Sequence, residues 1–266
     1  MNIVVCIKQV MDPEMPPSKI EVDSEAKRVL GSTGIPPVIS PYDRQAVEAA
    51  LKIKDQGEAR ITVITVGDES SEDALRYSIA MGADEGIRIG DESFNDSDSH
   101  SLAYILTKAI GKIGECDLVL CGRQSADEGM GQVGTLIAEN LGMSSVTIVR
   151  KVEIIDGKAR IERVLSNGYE IIESSLPVLA TISGEIGLPR IPGAMRSIMA
   201  ARKELTTWTA QDIEVDISQV GASANRLEIR QLFKPVRESE CEMITGENVK
   251  EAAGTLAIKL REAKII

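Results

Sequence analysis

The chain has 266 residues, of which 43% are hydrophobic, and it carries a formal net charge of −11. We expect one large globular domain with room for an appendage, because a chain of this length can bury a substantial core. The acidic balance argues against a nucleic-acid partner, since phosphate binding needs clustered Lys and Arg, which this sequence concentrates only between residues 190 and 203.

Short apolar runs alternate with helical patterns through the first half of the chain. In chain order they lie at Ile3–Ile7, Tyr42–Lys54, Ile61–Val66, Ser71–Met81, Leu102–Ile113, Leu118–Cys121 and Gly134–Leu141. This alternation predicts βαβ units in a mostly parallel sheet. The predicted fold is therefore a doubly wound, Rossmann-like α/β fold.

The pattern changes after Met143. Two extended runs, Val152–Ile155 and Ala159–Val164, flank Asp156-Gly157, a dipeptide that favours a two-residue hairpin turn. We therefore expect a hairpin at the sheet edge. A further buried strand is predicted at Leu176–Ile182, entered through a proline.

The remaining sequence predicts a loop and helix over residues 188–203, followed by a weakly patterned tail. From Leu205 the periodicity fades until a final amphipathic helix near Val249–Ala263. We interpret residues 1–204 as a nucleotide-binding domain and residues 205–266 as an extended arm that packs on a partner. A short C-terminal domain packed on the same chain is the alternative.

The clearest binding signal lies between Asp117 and Met143, where an apolar strand runs through a glycine-rich loop into an amphipathic helix. Glycines let the backbone approach a phosphate, and the first amides of the helix stabilise its negative charge. Gly129-x-Gly131-x-x-Gly134 has the spacing of a dinucleotide fingerprint, although there the first glycine follows the strand directly. A nucleotide is the expected ligand, and a flexible loop without a ligand is the alternative.

Histidine and cysteine usage excludes several other chemistries. His100 is the only histidine, so neither a Ser/His/Asp triad nor a histidine metal site is expected. The four cysteines have no CxxC spacing, which indicates reduced, partly buried thiols. The first residues have the pattern of a core strand rather than a signal peptide, and no run of eighteen apolar residues is present. We expect a cytoplasmic protein without metal or membrane insertion.

Several motifs together resemble the beta subunit of electron transfer flavoprotein. They are VCIKQV at Val5–Val10, SPYDRQAVEAAL at Ser40–Leu51, the Ala80–Asp84 segment, CGRQSADEGMGQVG at Cys121–Gly134, the LPVLATI strand and LPRIPGAMRSIMAARK at Leu188–Lys203. The resemblance runs from Asn2 to about Asp216. It implies a heterodimer with an alpha subunit that holds most of a redox-active FAD, an adenine nucleotide inside beta, and a carrier of electrons rather than an enzyme.

The resemblance also implies nucleotide contacts at the ends of three strands and in the glycine loop. In this sequence they fall on Cys6, Lys8, Ser40, Asp43, Val66, Gly67, Gly122, Arg123, Gln124, Asp127, Gly129, Met130, Gly131, Gln132, Val133, Gly134 and Thr135. The amides of residues 129–134 would hold the phosphates, with a further hydrogen bond from the Thr135 hydroxyl. Asp127 would accept from amides or a ribose hydroxyl, unless it is an exposed turn residue. Arg123 would balance phosphate charge, reach toward flavin, or stay solvated.

Two positions bear on which nucleotide beta holds. AMP-binding members of the family place Asn and Thr where Gly131 and Val133 stand here. The Gln-Val-Gly run resembles electron-bifurcating members, whose beta subunit holds a second FAD, although Met130 and Gly131 depart from that pattern as well. Without the two polar side chains there is room for a longer diphosphate ligand, so FAD is favoured, with AMP as the alternative.

The segment after Pro192 resembles the loop through which this family docks flavin dehydrogenases such as acyl-CoA dehydrogenases. Its predicted partner-recognition residues are Met195, Arg196, Ile198 and Met199. An apolar tip at Met195 suits an anchor that enters a pocket while nearby basic residues steer the encounter. From pattern alone, a methionine at helical spacing is ordinarily a core residue. The electrons would continue to an acceptor such as a quinone oxidoreductase, with NADH involved if the complex bifurcates electrons.

Two other functions fit parts of the sequence. A nucleotide-binding regulatory module of universal-stress type would explain the glycine loop, but it does not explain the recognition-like loop or the long tail. An adenylating enzyme of similar fold would need a glycine-rich pyrophosphate loop after the first strand, and residues 8–13, KQVMDP, contain no glycine.

Overall fold

The computed structural model describes residues 1–31, 34–235 and 241–266. The strands are β1 Asn2–Cys6, β2 Gln9–Val10, β3 Glu21–Asp23, β4 Arg28–Leu30, β5 Val38–Ile39, β6 Arg60–Val66, β7 Glu85–Ile89, β8 Leu118–Gly122, β9 Ser144–Ile155, β10 Lys158–Leu165, β11 Gly168–Ser175, β12 Val178–Ile182 and β13 Thr206–Trp208. The α-helices are α1 Pro41–Lys54, α2 Glu72–Met81, α3 Ser99–Ile113, α4 Val133–Leu141, α5 Ala194–Ala201 and α6 Val249–Glu262.

A nine-stranded sheet in the order β11-β10-β9-β12-β8-β1-β6-β7-β13 forms the centre of the molecule. All neighbouring strands in the part of the sheet that runs β9-β12-β8-β1-β6-β7-β13 pair in parallel. At the other edge, β10 pairs antiparallel with both β9 and β11. The central strands are buried on both faces, which is why they appear in the sequence as continuous apolar runs such as Ile3–Cys6. The prediction of a doubly wound, mostly parallel α/β fold is confirmed.

Helices cover both faces of this sheet. Ile3 and Val5 pack in a core with residues of α1 and α2, whereas Val4 and Cys6 pack in a second core with residues of α3 and α4. From β1 the sheet extends through β6 and β7 on one side, and the chain then returns to form β8 on the other side of β1. This topological switch point between β1 and β8 is where open α/β sheets bind ligands at the carboxyl ends of their strands.

Local sequence explains where the main helices begin and end. Pro41 occupies the first turn of α1, where its missing amide hydrogen is not needed. Asp98 caps α3, since its Oδ1 accepts from the amides of His100 and Ser101 at 3.0 Å. The helix therefore begins at Ser99, earlier than the predicted Leu102. Across the described parts of the chain, no helix is both long enough and apolar enough to cross a lipid bilayer.

The hairpin at the sheet edge is confirmed, but it is longer than predicted. Strand β9 has 12 residues, because its first half pairs in parallel with β12 and its second half pairs with β10. Asp156 and Gly157 form the turn with φ values of 50° and 74°, the left-handed conformation that the dipeptide favours. A second turn leads into β11, which the sequence did not predict.

The first part of the predicted arm, residues 205–266, belongs to the main sheet and its core. Strand β13 pairs in parallel with β7, and Ala210, Ile213 and Val220 are buried in the core beneath α3. Beyond Asn225 most of the described side chains are exposed, and α6 has no buried residue.

Candidate nucleotide-binding site

A cleft lies at the carboxyl ends of β1, β6 and β8, on the face of the sheet covered by α3 and α4. Its empty volume is about 860 Å³, including space continuous with solvent. Most of the predicted contact residues line it, namely Cys6, Lys8, Asp43, Val66, Gly122, Arg123, Gln124, Met130, Gly131, Gln132, Val133 and Gly134. The fold thus brings together segments that are far apart in the sequence.

The other predicted residues lie outside this lining. Ser40 is completely buried at the start of α1, and Gly67 follows the end of β6. Gly129 lies in the exposed part of the glycine loop. The hydroxyl of Thr135 was predicted to donate a hydrogen bond to the phosphates. In the structure it donates to the carbonyl oxygen of Gln132 at 2.9 Å instead.

Asp43 ties the floor of the cleft together. Its Oδ2 accepts from the amide of Lys8 at 2.8 Å, and its Oδ1 accepts from the amide of Gly122 at 3.0 Å. One carboxyl at the start of α1 thereby joins the ends of β1 and β8. Burial raises the pKa of Asp43 to about 7, although both amide hydrogen bonds favour the ionised form.

The glycine loop is attached to the end of β1 by an ion pair. Lys8 Nζ lies 2.8 Å from Asp127 Oδ2 and 3.5 Å from Glu128 Oε1. Burial opposes ionisation of Asp127, but hydrogen bonds from Lys8 and Ser125 outweigh it and lower the pKa of that carboxyl. Asp127 lies in an exposed turn, and its carboxylate fixes that turn to the end of β1 through Lys8, whose charge is balanced there by Asp127 and Glu128.

The glycines of the loop are required by its geometry. Gly129 and Gly131 have φ values of 65° and 64°, a left-handed conformation that side-chain-bearing residues adopt only rarely. A Cβ at Gly134 would lie 2.7 Å from Cγ2 of Thr181, so this glycine lets α4 pack closely on β12. The conformation of the loop thus depends on residues with no side chain.

The start of α4 supplies the donors that an anion needs. The first amides of a helix have no acceptor within the helix, and here the amide of Leu136 bonds back to Gln132 at 3.0 Å. The amides of Val133 and Gly134 precede it, and both residues line the cleft. With the helix dipole, these donors fit a phosphate or diphosphate group.

The wall formed by α3 was not predicted. Ser99, Leu102 and Leu106 line the cleft, together with Ile7, Cys121, Ser125 and Glu128. A mostly apolar wall beside the anion donors suits the flat ring of a nucleobase or flavin. Asp98 followed by apolar residues at helical spacing is the signal that would have located this wall from the sequence.

The cysteines and Arg123 take defined positions. Cys6 and Cys121 are in-register neighbours on β1 and β8, and the hydrogen bond with Cys121, together with burial, raises the pKa of the Cys6 thiol. None of the four cysteines forms a disulfide among the described residues; Cys6 and Cys121 are buried and Cys116 is half-buried, whereas Cys241 is exposed. The guanidinium of Arg123 lies 5.2 Å from the ring centroid of Tyr42, so it is stacked on that ring rather than free in solvent.

The predicted partner-recognition segment lies on the surface. Met195 is 70% exposed and Met199 is 67% exposed, which excludes the interpretation of either methionine as a core residue. Ile198 and the preceding Ile191 are exposed as well. These side chains form an apolar patch on α5 and the loop before it, and its role in docking stays a prediction.

The fold is that of the doubly wound α/β class, in which clefts at this edge of the sheet commonly bind ligands. Residues 28–213 match the electron transfer flavoprotein domain. The chain is 40% identical over 268 residues to the electron transfer flavoprotein subunit beta of Thermoanaerobacterium thermosaccharolyticum, with 100% of both chains covered. The chain therefore belongs to the electron transfer flavoprotein family, as a beta subunit.

Two further relatives have more specific names. The caffeyl-CoA reductase-Etf complex subunit CarD of Acetobacterium woodii is 36% identical over 267 residues, with 100% of both chains covered. Protein FixA of Azorhizobium caulinodans is 36% identical over 248 residues, covering 90% of this chain and 86% of FixA. The chain is thus an electron-transfer subunit rather than an enzyme, and family membership implies a flavin and an alpha-subunit partner.

Proposed function

We propose that this beta subunit carries electrons between a flavin dehydrogenase, such as an acyl-CoA dehydrogenase, and an acceptor such as a quinone oxidoreductase. The FAD through which they pass would be shared with the alpha subunit. The observation that carries this proposal is the exposed apolar patch on α5, flanked by Arg196, which has the character of a docking surface for another protein. The name of CarD, which links that relative to a reductase acting on a CoA thioester, supports the same class of partner.

We further propose that the cleft in this chain binds a second nucleotide, FAD in preference to AMP. The amides at the start of α4 would hold the diphosphate, while the wall of α3 would contact a ring. Gly131 and Val133 place no polar side chain in the space that a longer ligand needs. A bound FAD would supply a second redox centre, which electron bifurcation with NADH would require.

We propose that residues 205–266, which begin with β13 in the main sheet, supply from about residue 226 onward the arm that binds the alpha subunit, beside a nucleotide-binding domain of residues 1–204. Ile229, Phe233, Met243 and Ile258 are large apolar residues in this segment, and all are exposed. Such surface supports burial against a partner. The four free thiols support a cytoplasmic location.

The proposed function is tested by co-expressing the chain with its alpha subunit and adding an acyl-CoA dehydrogenase with its acyl-CoA substrate. We expect a yellow heterodimer whose flavin absorbance falls as the dehydrogenase reduces it. A colourless complex that binds only ATP or AMP would favour the regulatory module instead. A yellow complex that acyl-CoA dehydrogenases do not reduce would refute this class of electron donor.

A further inference from the structure

Helix α5 is too short and too exposed to be stable by itself. It has eight residues, and Ala200 is its only buried side chain. Isolated helices of this length are unstable in water, because the nucleation free energy is not recovered over so few hydrogen bonds. Contacts at the two ends of α5 must therefore hold it in place.

The chain entering α5 is held by a buried carboxylate of α1. Glu48, whose side chain is only 6% exposed, accepts three hydrogen bonds from Arg190. Two come from the guanidinium, at 2.9 and 3.1 Å, and one comes from the backbone amide, at 3.0 Å. The same guanidinium donates to Asp55 at 2.7 Å. Because the backbone amide takes part, the main chain itself is fixed just before α5.

The chain leaving α5 is held by an arginine of α2. Nη1 of Arg76 donates to the carbonyl oxygens of Ala200, Ala201 and Lys203 at 3.2, 3.1 and 2.8 Å. These carbonyls lie at the end of a helix, where acceptors lack partners within the helix and a positive charge is favourable. Glu72 orients Arg76 through a hydrogen bond of 3.1 Å from Nη2.

We infer that Glu48 and Arg76 are positioning residues for partner docking, because they hold α5 from both ends and so present its apolar side chains already ordered. This inference rests on the proposed docking role of α5. If a binding-competent conformation is populated only in part, the apparent affinity falls by that fraction. Neither residue contacts the partner in this account, and both act through the position of Met195 and its neighbours.

The test uses Glu48→Gln and Arg76→Gln in the heterodimer, with Glu162→Gln as a matched control. Glu162 is also a partly buried partner of an arginine, since its carboxylate lies 2.8 Å from Nε of Arg150, but it lies on β10, away from α5. Amide hydrogen exchange over residues 190–203 and steady-state kinetics with an acyl-CoA dehydrogenase that reduces the wild type are measured. We expect exchange at least about tenfold faster and a KM for the dehydrogenase raised about tenfold, with kcat and flavin content unchanged.

Two further variants separate the outcomes. Arg76→Lys keeps the positive charge without the forked geometry and should recover part of the KM. Met195→Ala raises KM without faster exchange if α5 is the docking surface. If Met195→Ala raises KM while Glu48→Gln and Arg76→Gln do not, the positioning role is wrong and the docking role stands. If none of these variants changes KM, both are wrong. Should Glu48→Gln fail to fold, Arg190→Lys, which keeps the charge but loses the forked geometry, replaces it, with changes in the same direction but smaller.

Discussion

Asp43 is the single residue on which the floor of the cleft depends most, because its carboxyl joins two strand ends. Its pKa rises from 3.8 to about 7 on folding. The folded state therefore binds this proton more tightly than the unfolded state, and the stabilisation it provides is complete at low pH and lost as pH rises from about 4 to 7.

This titration predicts a pH-dependent difference between the wild type and Asp43→Asn, which stays neutral at every pH. Between pH 5 and pH 7 the free energy of unfolding of the wild type should fall by about 2 kcal/mol relative to the variant. Chemical denaturation of both proteins at a series of pH values measures this difference in unfolding free energy. A difference that does not change with pH would show that Asp43 is ionised throughout this range.

Gly122 allows Asp43 to approach β8. A Cβ at this position would collide with Oδ1 of Asp43 and lie 2.9 Å from its backbone nitrogen. We therefore expect Gly122→Ala to lower the free energy of unfolding by roughly 1–3 kcal/mol. Gly111→Ala is the matched control, because a Cβ there meets no atom within 4 Å inside α3, and it should stabilise the protein by about 0.5–1 kcal/mol. Equal stability of the two variants would contradict the close approach.

At the residue scale, local pattern predicted the glycine loop, but not the contacts that shape the cleft. Asp43 and Gly122 are separated by 79 positions, and no spacing in a sequence reports a contact over that distance. Asp43 and Lys8 were predicted only through the family resemblance. The wall of α3 was missed because the polar run before Leu102 concealed the cap at Asp98 and the true start of the helix.

At the scale of elements, Asp98 joins α3 to the start of the C-terminal segment. Its Oδ1 caps the helix, while its Oδ2 accepts from the amides of Arg226 and Leu227 at 2.7 and 3.3 Å. Asp98→Ala should therefore lower the free energy of unfolding by about 2 kcal/mol, since it removes a cap and a tertiary tie together. Asp216→Ala, which removes only short-range hydrogen bonds in an exposed turn, should cost about 0.5 kcal/mol or less. Chemical denaturation of both variants measures the two losses of unfolding free energy. Equal losses would show that Asp98 makes no stabilising contact with Arg226 and Leu227.

Strands were predictable from the sequence where they form unbroken runs of apolar residues. The runs of β1, β6, β8 and β12 are buried on both faces and stand out in the sequence. Strand β7 was missed because Gly86 and Arg88 interrupt its apolar run, and β11 was missed because its side chains alternate between exposed and half-buried positions. The turn at Asp156-Gly157 was predictable because it is set by two residues rather than by tertiary contacts.

At the scale of the whole molecule, the exposed apolar side chains of the last forty or so residues indicate a chain that needs its partner. Expressed alone, it should aggregate and bind flavin poorly, because Phe233, Met243 and Ile258 are left in water. Co-expression with the alpha subunit should give a monodisperse heterodimer. Light scattering after size exclusion distinguishes the two, and a yellow, monodisperse monomer from this chain alone would contradict the heterodimer.

The fold class and the family were predictable from different features of the sequence. Periodicity predicted the α/β class, whereas the family was recognised from several motifs spread from Val5 to Lys203. The packing of β13 against β7 was not predictable, since a strand of three residues carries almost no pattern.

A nucleotide site in the cleft beside the glycine loop predicts the number of nucleotides that the purified heterodimer holds, and that number can be counted. After FAD is supplied, acid release and chromatography should give close to two FAD per heterodimer, and Gly131→Asn should lower that number because its side chain would intrude beside the phosphate-binding amides. One FAD with one AMP, unchanged by added FAD, would keep the site but exclude the second flavin. A single nucleotide per heterodimer, equally abundant in Gly131→Asn, would contradict the claim.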